Sequence, residues 1–483
     1  MRPFSVDFLQ RGSYNINIYV FAGENMEKSK FEILRERHPS FTYKSYSIED
    51  LGDRLRLSFE FSLENGSVFT PKTEILKSEF TNANDFNSPA GQRMVFSLGM
   101  VELVSYWKCA CPPVVYIDCG HLDDWDIRWW KRLYFNGLGE FFYINGISAD
   151  EDSFMSIKCR QEAKEYPTFE YHSNGGNLIP VGGGKDSAVT AELLRNHREN
   201  NLFITVNDQK ARTDTVLTAG YGENRIIKTY RTIDRELLTL NSKGYLNGHT
   251  PFSAIVAFLS LYCAYLAGAE NIILSNESSA NDVNVKGTAV NHQYSKSFAF
   301  EEDFTEYVEK NIMNEIRYFS MLRPFNELQI AKYFAKNPKY LSVFRSCNKG
   351  SRENRWCGEC AKCLFVFSML APFTDYDSLV EVFGGDLLNN GELTEDFDGL
   401  VGISGIKPFE CVGTEGEICL ALSLLAGKLQ KEGRELPFLV KRFLNAQKGV
   451  DNTLLTEYNP RHNVPDEFLE EIKEMYEVVA QAD

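Results

Sequence analysis

The segment Asn177-Leu178-Ile179-Pro180-Val181-Gly182-Gly183-Gly184-Lys185-Asp186-Ser187 decides the fold of this chain of 483 residues. A short apolar stretch leads through three glycines into Ala188 to His197, which has the composition of a helix. Glycine lets the backbone approach a phosphate closely and adopt positive φ angles. The start of a helix supplies free N–H groups and the positive end of its dipole. We therefore predict a strand, an anion-binding loop and a helix, with a hydroxyl donor from Ser187 and a counter-charge from Lys185.

The spacing within the loop excludes two other phosphate-binding motifs. A Walker A loop requires Lys directly before Ser or Thr, but Asp186 separates Lys185 from Ser187. A dinucleotide-binding fingerprint requires a third glycine where Ser187 stands. The loop resembles instead the Ser-Gly-Gly-x-Asp-Ser signature of the PP-loop ATP pyrophosphatases, with Gly182 in place of the first serine.

That resemblance implies how ATP is used. In this superfamily the loop holds pyrophosphate, and the substrate is adenylated at an oxygen by attack on the α-phosphorus of ATP. We therefore expect ATP to be cleaved between its α and β phosphates, with Lys185, Asp186 and Ser187 as catalytic residues. The residues expected to hold the pyrophosphate are Gly182, Gly183, Gly184, Lys185, Asp186 and Ser187.

Strands and helices alternate after the loop. The apolar segments Leu202–Asn207, Arg225–Arg231 and Asn271–Asn276 have the length of strands, and Phe252–Gly268 has the pattern of a buried helix. This alternation predicts an α/β fold with a doubly wound parallel sheet of the PP-loop, adenine nucleotide α-hydrolase-like type. The predicted helix is shorter than the ~20 residues of a membrane span, so we expect no membrane association.

We divide the chain into three domains. Residues 1–170 are predicted to form an α+β domain, with half-buried strands at Tyr14–Phe21 and Arg54–Phe61. Residues 171–374 are predicted to form the PP-loop domain, and residues 375–483 a C-terminal α/β extension that completes the substrate site. One predicted helix of the first domain carries four aromatic residues that we expect to pack against the next domain: Trp125, Trp129, Trp130 and Tyr134.

Residues that follow the strands are candidate ligand contacts, because doubly wound sheets bind ligands at the carboxyl ends of their strands. The resemblance implies adenine and ribose contacts at the end of strand Leu202–Asn207. Ser275 to Asn281 is a dense polar run directly after an apolar strand. A carboxylate such as Glu277 or Asp186 can help to hold Mg²⁺, which prefers carboxylate and phosphate oxygens. The predicted nucleotide contacts beyond the loop are Val206, Asn207, Ser275, Asn276 and Glu277.

Four cysteines with the spacing C-x9-C-x2-C-x2-C form a cluster: Cys347, Cys357, Cys360 and Cys363. Four thiolates within reach of one another suit a closed, tetrahedral, structural Zn²⁺ site. An iron–sulfur cluster also takes four thiolates and is the alternative. The cluster resembles the zinc site of the PP-loop enzymes that make the nitrile of 7-cyano-7-deazaguanine. We expect it to anchor the end of the PP-loop domain rather than to take part in the chemistry.

The chain as a whole resembles the ATP-dependent epimerases of UDP-N-acetylmuramoyl-L-alanyl-L-glutamate. The stretches that carry the resemblance are Pro180–Ser187, Ser275–Asn281, Val290–Ser297 and Lys407–Glu415. It implies that the terminal L-glutamate is inverted to D-glutamate through a carboxyl-adenylate, with release of AMP and pyrophosphate, in the synthesis of peptidoglycan precursors. The expected cofactors are ATP and Mg²⁺, and the expected partner is this small-molecule substrate.

A second polar run is the predicted centre of the substrate site. Asn291 to Ser297 places seven residues able to hydrogen-bond before an apolar pair, and His292 is a candidate proton-transfer group. Cys411, Glu410 and Glu415 are the other candidates, since thiols and carboxylates also relay protons. The predicted substrate contacts are Asn281, Asn291, Tyr294 and Lys296. Basic groups for the diphosphate are expected among Arg317, Arg323, Lys407 and the N-terminal domain.

The bulk composition excludes some classes of partner. The formal net charge of −16 and the sequence pI near 5.1 argue against a nucleic-acid partner, because phosphate backbones bind basic surfaces. The N-terminal sequence has neither an apolar core nor a small-residue cleavage site, so we expect no secretory signal and a cytoplasmic location. The composition leaves the oligomeric state open.

Three other functions fit parts of the pattern. A 7-cyano-7-deazaguanine synthase or a nucleoside-thiolating PP-loop enzyme fits the four cysteines, although the extra length at both ends and the acidic charge speak against it. An amide-forming ligase would pass the adenylate to ammonia or an amine, but no glutaminase-type domain is visible. A non-enzymatic nucleotide-binding module would bind ATP without releasing pyrophosphate, which the intact Asp186-Ser187 pair disfavours.

Overall fold

The computed structural model describes residues 28–162, 169, 171–283, 290–404 and 407–481. These residues contain eleven strands, all of which belong to one sheet. The strands are β1 Ser40–Asp50, β2 Arg54–Leu63, β3 Val68–Phe69, β4 Lys72–Leu76, β5 Val114–Ile117, β6 Ser156–Cys159, β7 Asn177–Pro180, β8 Asn201–Val206, β9 Ile226–Thr232, β10 Asn271–Leu274 and β11 Arg317–Ser320. The predicted strand Tyr14–Phe21 lies outside the described residues.

Sixteen α-helices accompany the sheet within the same described residues. They are α1 Lys30–Arg37, α2 Pro89–Trp107, α3 Asp124–Gly137, α4 Gly139–Ile144, α5 Lys185–Leu193, α6 Lys210–Thr218, α7 Arg235–Ser242, α8 Phe252–Ala267, α9 Phe298–Asn311, α10 Glu327–Ala335, α11 Ala361–Leu370, α12 Tyr376–Phe383, α13 Thr394–Leu400, α14 Glu415–Lys431, α15 Phe438–Asn445 and α16 Leu469–Ala480. Across the described ranges, no helix combines the length and the apolar character that crossing a membrane requires.

Five strands form the parallel half of the sheet, in the order β11-β10-β7-β8-β9. Numbered along the chain from β7, this order is 5-4-1-2-3, which reads 3-2-1-4-5 in the other direction and is that of a doubly wound sheet. The predicted α/β fold with a doubly wound parallel sheet is confirmed. The strand order reverses between β7 and β10, where such sheets bind ligands, and the glycine loop directly follows β7.

The parallel strands separate two hydrophobic cores, because their side chains point alternately to the two faces of the sheet. Leu178 of β7 and Ile272 of β10 belong to the core that includes α8 and the N-terminal helices. Their neighbours Ile179 and Ile273 belong to the second core, which includes α5, α10, α11 and α14. Successive side chains of a strand point to opposite faces, so these strands are buried on both sides. That burial is the reason why they read as continuous apolar runs in the sequence.

The N-terminal strands extend the same sheet. β4 pairs antiparallel with β9, with Ile75 opposite Thr229, and the order continues through β2, β1, β5 and β6. Fully buried residues such as Leu55 and Leu57 alternate along β2 with partly exposed ones, which confirms the strand predicted at Arg54–Phe61. The boundary predicted at residue 170 falls between β6 and β7 of this sheet, and the domain boundaries stay predictions.

The aromatic residues of α3 pack against the helices that follow the glycine loop. The rings of Trp129 and Tyr307 lie 4.4 Å apart, and those of Trp130 and Phe258 lie 5.2 Å apart, measured between centroids. Phe258 belongs to α8 and Tyr307 to α9, so the predicted packing role is confirmed. This contact joins the N-terminal region to the parallel half of the sheet.

The C-terminal region differs from the predicted α/β extension. In residues 375–404 and 407–481 the structure contains helices and no strand. The reason is visible in α14, where Ile418, Leu422, Leu425 and Leu429 recur at helical spacing and form one buried face. The glycines of this region, such as Gly384 with its φ of 75°, end helices instead of linking strands.

Candidate active site

The glycine loop passes close to a neighbouring backbone. Gly183 has a φ of +83°, and a Cβ at this position would lie 3.1 Å from backbone atoms of Ala211 and Arg212. Only glycine fits this conformation without strain. Gly184 precedes the first residue of α5, so the free N–H groups of that helix face the loop. The strand, loop and helix therefore form the anion-binding arrangement that the sequence predicts.

Three carboxylates surround the lysine of the loop. One carboxylate oxygen from each of Asp186, Glu277 and Glu327 lies within 4.8 Å of the others. The buried ammonium group of Lys185 is ion-paired with both Asp186 and Glu327. Burial lowers the pKa of Lys185, but the two carboxylates outweigh it and the net shift is upward. We call Lys185, Asp186, Glu277 and Glu327 the phosphate centre.

The remaining predicted nucleotide residues lie at the same edge of the sheet. Val206 ends β8, and the amide of the next residue, Asn207, donates to Thr229 at 2.7 Å. Ser275 and Asn276 follow β10, and the amide of Asn276 donates to Ser320 Oγ at 2.7 Å. These residues thus flank the glycine loop on the two neighbouring parallel strands.

A second cluster joins a thiol, two imidazoles and a carboxylate. His292 Nδ1 is hydrogen-bonded to Glu140, and His249 Nδ1 lies 3.7 Å from the same carboxylate oxygen. The two imidazole rings are 4.2 Å apart. Side-chain hydrogen bonds link Cys411 to His292 and to Lys296. We call Glu140, His249, His292, Lys296 and Cys411 the thiol centre.

Charge complementarity in this centre favours a thiolate next to an imidazolium. Burial raises the pKa of Cys411, but Lys296 and His292 outweigh it and bring that pKa well below its ordinary value. Burial likewise lowers the pKa of His292, yet its hydrogen bonds to Cys411 and Glu140 raise it to about 9. Because a thiolate is a far better base than a thiol, Cys411 is suited to removing a proton.

Two lysines connect the centres. Burial lowers the pKa of Lys296, but the negative charges of Cys411, Glu277 and Asp186 raise it above its ordinary value. Its ammonium group therefore faces both the phosphate centre and the thiol centre. Lys362 donates to the backbone carbonyl of Cys411, and its charge also acts on Asp186. The two centres are thus parts of one site.

The other two candidates for proton transfer, Glu410 and Glu415, are less favourably placed relative to Cys411 and His292. Glu410 accepts a hydrogen bond from Asn348 Nδ2 at 3.1 Å, and burial raises its pKa. The carboxylate of Glu415 lies against Gly402, at the start of α14. Neither residue shares the hydrogen bonds that join Cys411 to His292.

The four clustered cysteines converge as the sequence predicts. The Sγ atoms of Cys347, Cys357, Cys360 and Cys363 lie within 4.8 Å of one another. Three of the separations are 3.4, 3.5 and 3.6 Å, among Cys357, Cys360 and Cys363. Amide groups support two of the sulfurs: that of Gly350 donates to Cys347 at 3.2 Å, and that of Glu359 to Cys357 at 3.4 Å. We call these four cysteines the cysteine knuckle. The knuckle leads directly into α11, which carries Lys362.

Three predicted substrate residues line a cavity of about 430 Å³: Asn281, Asn291 and Tyr294. Its other lining residues include Asn459 and Arg461 from the C-terminal region, which the sequence did not indicate. The fourth predicted contact, Lys296, lies in the thiol centre instead. The C-terminal region therefore contributes to the walls of this cavity.

The predicted basic residues for the diphosphate are paired within the protein. Arg323 is fully buried and forms an ion pair with Glu301 at 3.0 Å, so it stabilises the fold and is not exposed to a ligand. Arg317 pairs with Glu467 at 2.7 Å, and Lys407 Nζ lies 3.0 Å from Asp282. Of the three, Arg323 is excluded from the expected role because its guanidinium group is inaccessible.

Four residues of the site were missed by sequence reasoning: Glu140, His249, Glu327 and Lys362. None of them lies in a recognisable motif, because each reaches the site from a different segment of the chain. Lys362 carried a partial signal, since it lies between Cys360 and Cys363. Glu327 begins α10 directly after its cap residue Asn326, which gives it an ordinary structural appearance in the sequence.

Comparisons with known proteins agree on one family. Residues 33–321 match the model of the MurL N-terminal domain, and residues 343–453 match that of the MurL C-terminal domain. The chain belongs to the MurL family. The first matched segment contains every strand of the described residues, so the family's N-terminal unit includes the whole sheet together with the glycine loop.

Three curated members of the family are named UDP-N-acetyl-alpha-D-muramoyl-L-alanyl-L-glutamate epimerase. The protein of Xanthomonas oryzae pv. oryzae is 34% identical over 407 residues, which cover 81% of this chain and 88% of the relative. That of Salinispora tropica is 34% identical over 407 residues, covering 80% and 85%. That of a Micromonospora species is 32% identical over 412 residues, covering 83% and 89%. No solved structure matches the chain.

Proposed function

We propose that the enzyme inverts the terminal L-glutamate of UDP-N-acetyl-α-D-muramoyl-L-alanyl-L-glutamate to D-glutamate, and that it cleaves ATP to AMP and pyrophosphate to do so. The curated relatives carry the name of this epimerase. The observation that carries the ATP requirement is the convergence of Asp186, Glu277 and Glu327 at the glycine loop, and the charge of Lys296 acts on both this centre and Cys411. An enzyme that activates a carboxylate and moves the neighbouring proton needs both centres in one site.

Activation of the carboxylate makes the proton transfer feasible. Removing the α-proton beside a free carboxylate places a second negative charge next to the first. Attack of one carboxylate oxygen on the α-phosphorus forms an acyl-adenylate and expels pyrophosphate, which removes the first charge. The resulting carbonyl accepts the electron pair of the broken C–H bond as an enolate, and a cation such as Lys296 stabilises that oxygen. Hydrolysis then releases AMP and the inverted residue.

The phosphate centre suits ATP with Mg²⁺. The carboxylates of Asp186, Glu277 and Glu327 converge, and Mg²⁺ prefers a few carboxylates together with phosphate oxygens. When bound, the ion neutralises phosphate charge during adenylation. The amides at the start of α5, the glycine loop and Ser187 hold the leaving pyrophosphate, while Lys185 supplies the counter-charge.

The cysteine knuckle suits one zinc ion better than an iron–sulfur cluster. Ligands of a tetrahedral Zn²⁺ at about 2.3 Å lie about 3.8 Å apart. The separations of 3.4 to 3.6 Å approach that value, whereas the thiolates around a multi-iron cluster stand farther apart. A zinc ion bound by the four cysteines would hold the loop before α11, and the helix places Lys362 beside the backbone carbonyl of Cys411.

Membership of the MurL family favours the epimerase over the other PP-loop functions. A 7-cyano-7-deazaguanine synthase and a nucleoside-thiolating enzyme share the loop and the four cysteines. An amide ligase also activates its carboxylate substrate as an acyl-adenylate. None of these reactions breaks a C–H bond beside the activated carbon, which is the step that Cys411 and His292 are arranged to assist.

The test is an isotope exchange experiment. The purified protein is incubated in deuterated water with ATP, Mg²⁺ and the UDP-linked dipeptide, and the glutamate is recovered by hydrolysis. We expect D-glutamate with one deuterium at the α-carbon, and stoichiometric pyrophosphate, only when ATP is present. Unlabelled L-glutamate together with pyrophosphate release would reject this substrate and leave the ATP reaction standing.

A further inference from the structure

Three side chains from distant segments form a continuous hydrogen-bonded chain. Glu140 belongs to the short helix α4 of the N-terminal region, His292 to the loop before α9, and Cys411 to the loop before α14. Glu140 accepts from His292 Nδ1, and the same imidazole is hydrogen-bonded to the side chain of Cys411. The side chain of Glu140 is only 2% exposed, so water does not compete for this bond.

Cys411 differs from the other cysteines outside the knuckle. Cys109, Cys111, Cys263 and Cys419 are buried, Cys119 and Cys159 are partly buried, and burial raises the pKa of all six thiols. Cys411 is half-buried and bonded to both an imidazole and an ammonium group. Accessibility and a charged hydrogen-bond partner are the two properties that a reactive thiolate needs.

We propose that Cys411 exchanges the α-proton on one face of the activated glutamate, and that Glu140 is the positioning residue that holds His292 against Cys411. This inference rests on the proposed epimerase function. Glu140, His292 and Cys411 then resemble a catalytic triad of carboxylate, imidazole and nucleophile. In such a triad the carboxylate fixes the orientation of the imidazole ring and its tautomer. The N-terminal region thus contributes directly to the chemistry of the site.

The proposed step balances without a further reactant. In the acyl-adenylate, the thiolate of Cys411 takes the α-proton, so that an S–H bond forms and the Cα–H bond breaks. The electron pair moves into the neighbouring carbonyl to give the enolate. A proton from solvent water enters the opposite face of the enolate and completes the inversion, and the proton on Cys411 passes to solvent afterwards. In the reverse direction the thiol of Cys411 returns its proton to the carbon.

The charges around His249 explain why Glu140 holds the imidazole of His292 rather than that of His249. Burial and the positive charges of His292, Lys108 and Lys296 bring the pKa of His249 well below its ordinary value. A neutral His249 binds a carboxylate more weakly than an imidazolium does. The other charged groups that face the pair are Lys108 from the end of α2, Lys296, Lys362 and Glu410.

The experiment compares Glu140→Gln with Glu140→Asp. Glu140→Gln keeps the size of the side chain but removes its charge, and we expect the rate of deuterium exchange at the α-carbon to fall about 10²-fold. The KM for the dipeptide and single-turnover pyrophosphate release are expected to change little, because adenylation does not use Glu140. Glu140→Asp is expected to recover part of the exchange rate. Wild-type exchange in Glu140→Gln would overturn the proposal.

A matched control separates chemistry from folding. Glu102 is also a buried carboxylate of the N-terminal region, but its partner, at 2.7 Å, is Arg231 and not a residue of the thiol centre. Glu102→Gln is expected to lower the melting temperature and to leave the exchange rate of the folded enzyme unchanged. Equal losses of exchange in Glu102→Gln and Glu140→Gln would overturn the proposal. Absence of exchange in the wild type would instead reject the proposed function itself.

Metal analysis distinguishes the proton relay from a metal site. Ligand atoms of Glu140, His249 and His292 lie within 4.8 Å of one another, and zinc accepts such a set. We expect one zinc per chain in the wild type, unchanged in Glu140→Gln and in His249→Asn. Two zinc ions per chain, with one lost in both variants, would overturn the relay.

Discussion

The phosphate centre and the thiol centre lie side by side but are built for opposite tasks. The phosphate centre gathers three carboxylates around Lys185 and directs the free amides of a helix toward an anion. The thiol centre places the thiol of Cys411 beside cationic side chains, which lower its pKa and favour the thiolate. The phosphate centre is suited to binding a charged ligand, and the thiol centre is suited to transferring a proton.

Their origins in the chain differ as well. The phosphate centre is built around the loop at the end of β7, which supplies Lys185 and Asp186, and the segments after β10 and at the start of α10 add Glu277 and Glu327. The thiol centre depends on residues from the N-terminal, central and C-terminal regions, which meet only in the folded protein. Substitutions in the two centres are therefore expected to have separable effects on ATP cleavage and on inversion.

The largest effect is expected for Asp186→Ala. Loss of this carboxylate removes a predicted Mg²⁺ ligand and a partner of Lys185, so both pyrophosphate release and inversion are expected to fall on the order of 10³-fold. Pyrophosphate release and D-glutamate formation are measured in parallel. As a control, Asp234→Ala removes the cap of α7 and is expected to affect stability alone. Full activity of Asp186→Ala would contradict the PP-loop assignment.

Cys411→Ser is expected to separate the two activities. Serine is a much weaker acid than a thiol, so inversion is expected to fall about 10²- to 10⁴-fold while single-turnover pyrophosphate release continues. Cys419→Ser, at a buried position in α14 without an imidazole partner, serves as the matched control. Normal inversion by Cys411→Ser would show that another group moves the proton.

Cys360→Ser tests the knuckle. Loss of one thiolate is expected to release the zinc and to lower the free energy of unfolding by more than about 4 kcal/mol, in the range associated with loss of a structural metal. Metal content is measured by elemental analysis and stability by thermal unfolding. An unchanged metal content would remove the zinc proposal, and iron in the wild type would replace it with an iron–sulfur cluster.

The pH dependence of inversion reports on the thiolate and the imidazolium. The thiol pKa of Cys411 lies well below its ordinary value, because Lys296 and His292 outweigh its burial, so the active thiolate persists to lower pH than that of a free thiol. The pKa of His292 is raised to about 9, so its charge is lost above that pH. We expect kcat/KM for inversion to be level near neutral pH and to fall about tenfold per pH unit well above pH 9. A rate that keeps rising above pH 9, as for a free thiol, would contradict the pairing.

Gly183→Ala is expected to have the smallest effect. The added Cβ meets the backbone near Ala211 at a positive φ, which costs about 1–2 kcal/mol and raises the KM for ATP about tenfold. At Gly182 a Cβ meets nothing within 4 Å, so Gly182→Ala is the matched control and should bind ATP normally. Equal effects of the two substitutions would show that space at the loop is not limiting.

The sequence alone predicts the parallel half of the sheet and the phosphate loop well. β7, β8 and β10 are buried on both faces, which makes them visible as short apolar runs between turns and helices. The glycine loop is visible because all its residues are adjacent. The predicted α/β character of the C-terminal extension is wrong, because glycines such as Gly384 end helices there and the described residues 375–404 and 407–481 contain no strand.

The thiol centre could be predicted only in part. Cys411 and His292 were candidates because of their residue types, but nothing local ties them together across 118 intervening positions. Glu140 and His249 have no motif, and their roles depend on how the N-terminal helices pack on α8 and α9. Such contacts are set by tertiary packing, which a pattern of residue spacings does not contain.

The central claim is that ATP activates the carboxyl group beside the inverted carbon, and oxygen transfer tests it most directly. The substrate is prepared with ¹⁸O in both oxygens of the glutamate α-carboxylate and is incubated with ATP and the enzyme. We predict that one ¹⁸O atom appears in the phosphate of each AMP as D-glutamate forms. AMP without ¹⁸O, produced together with D-glutamate, would contradict the acyl-adenylate.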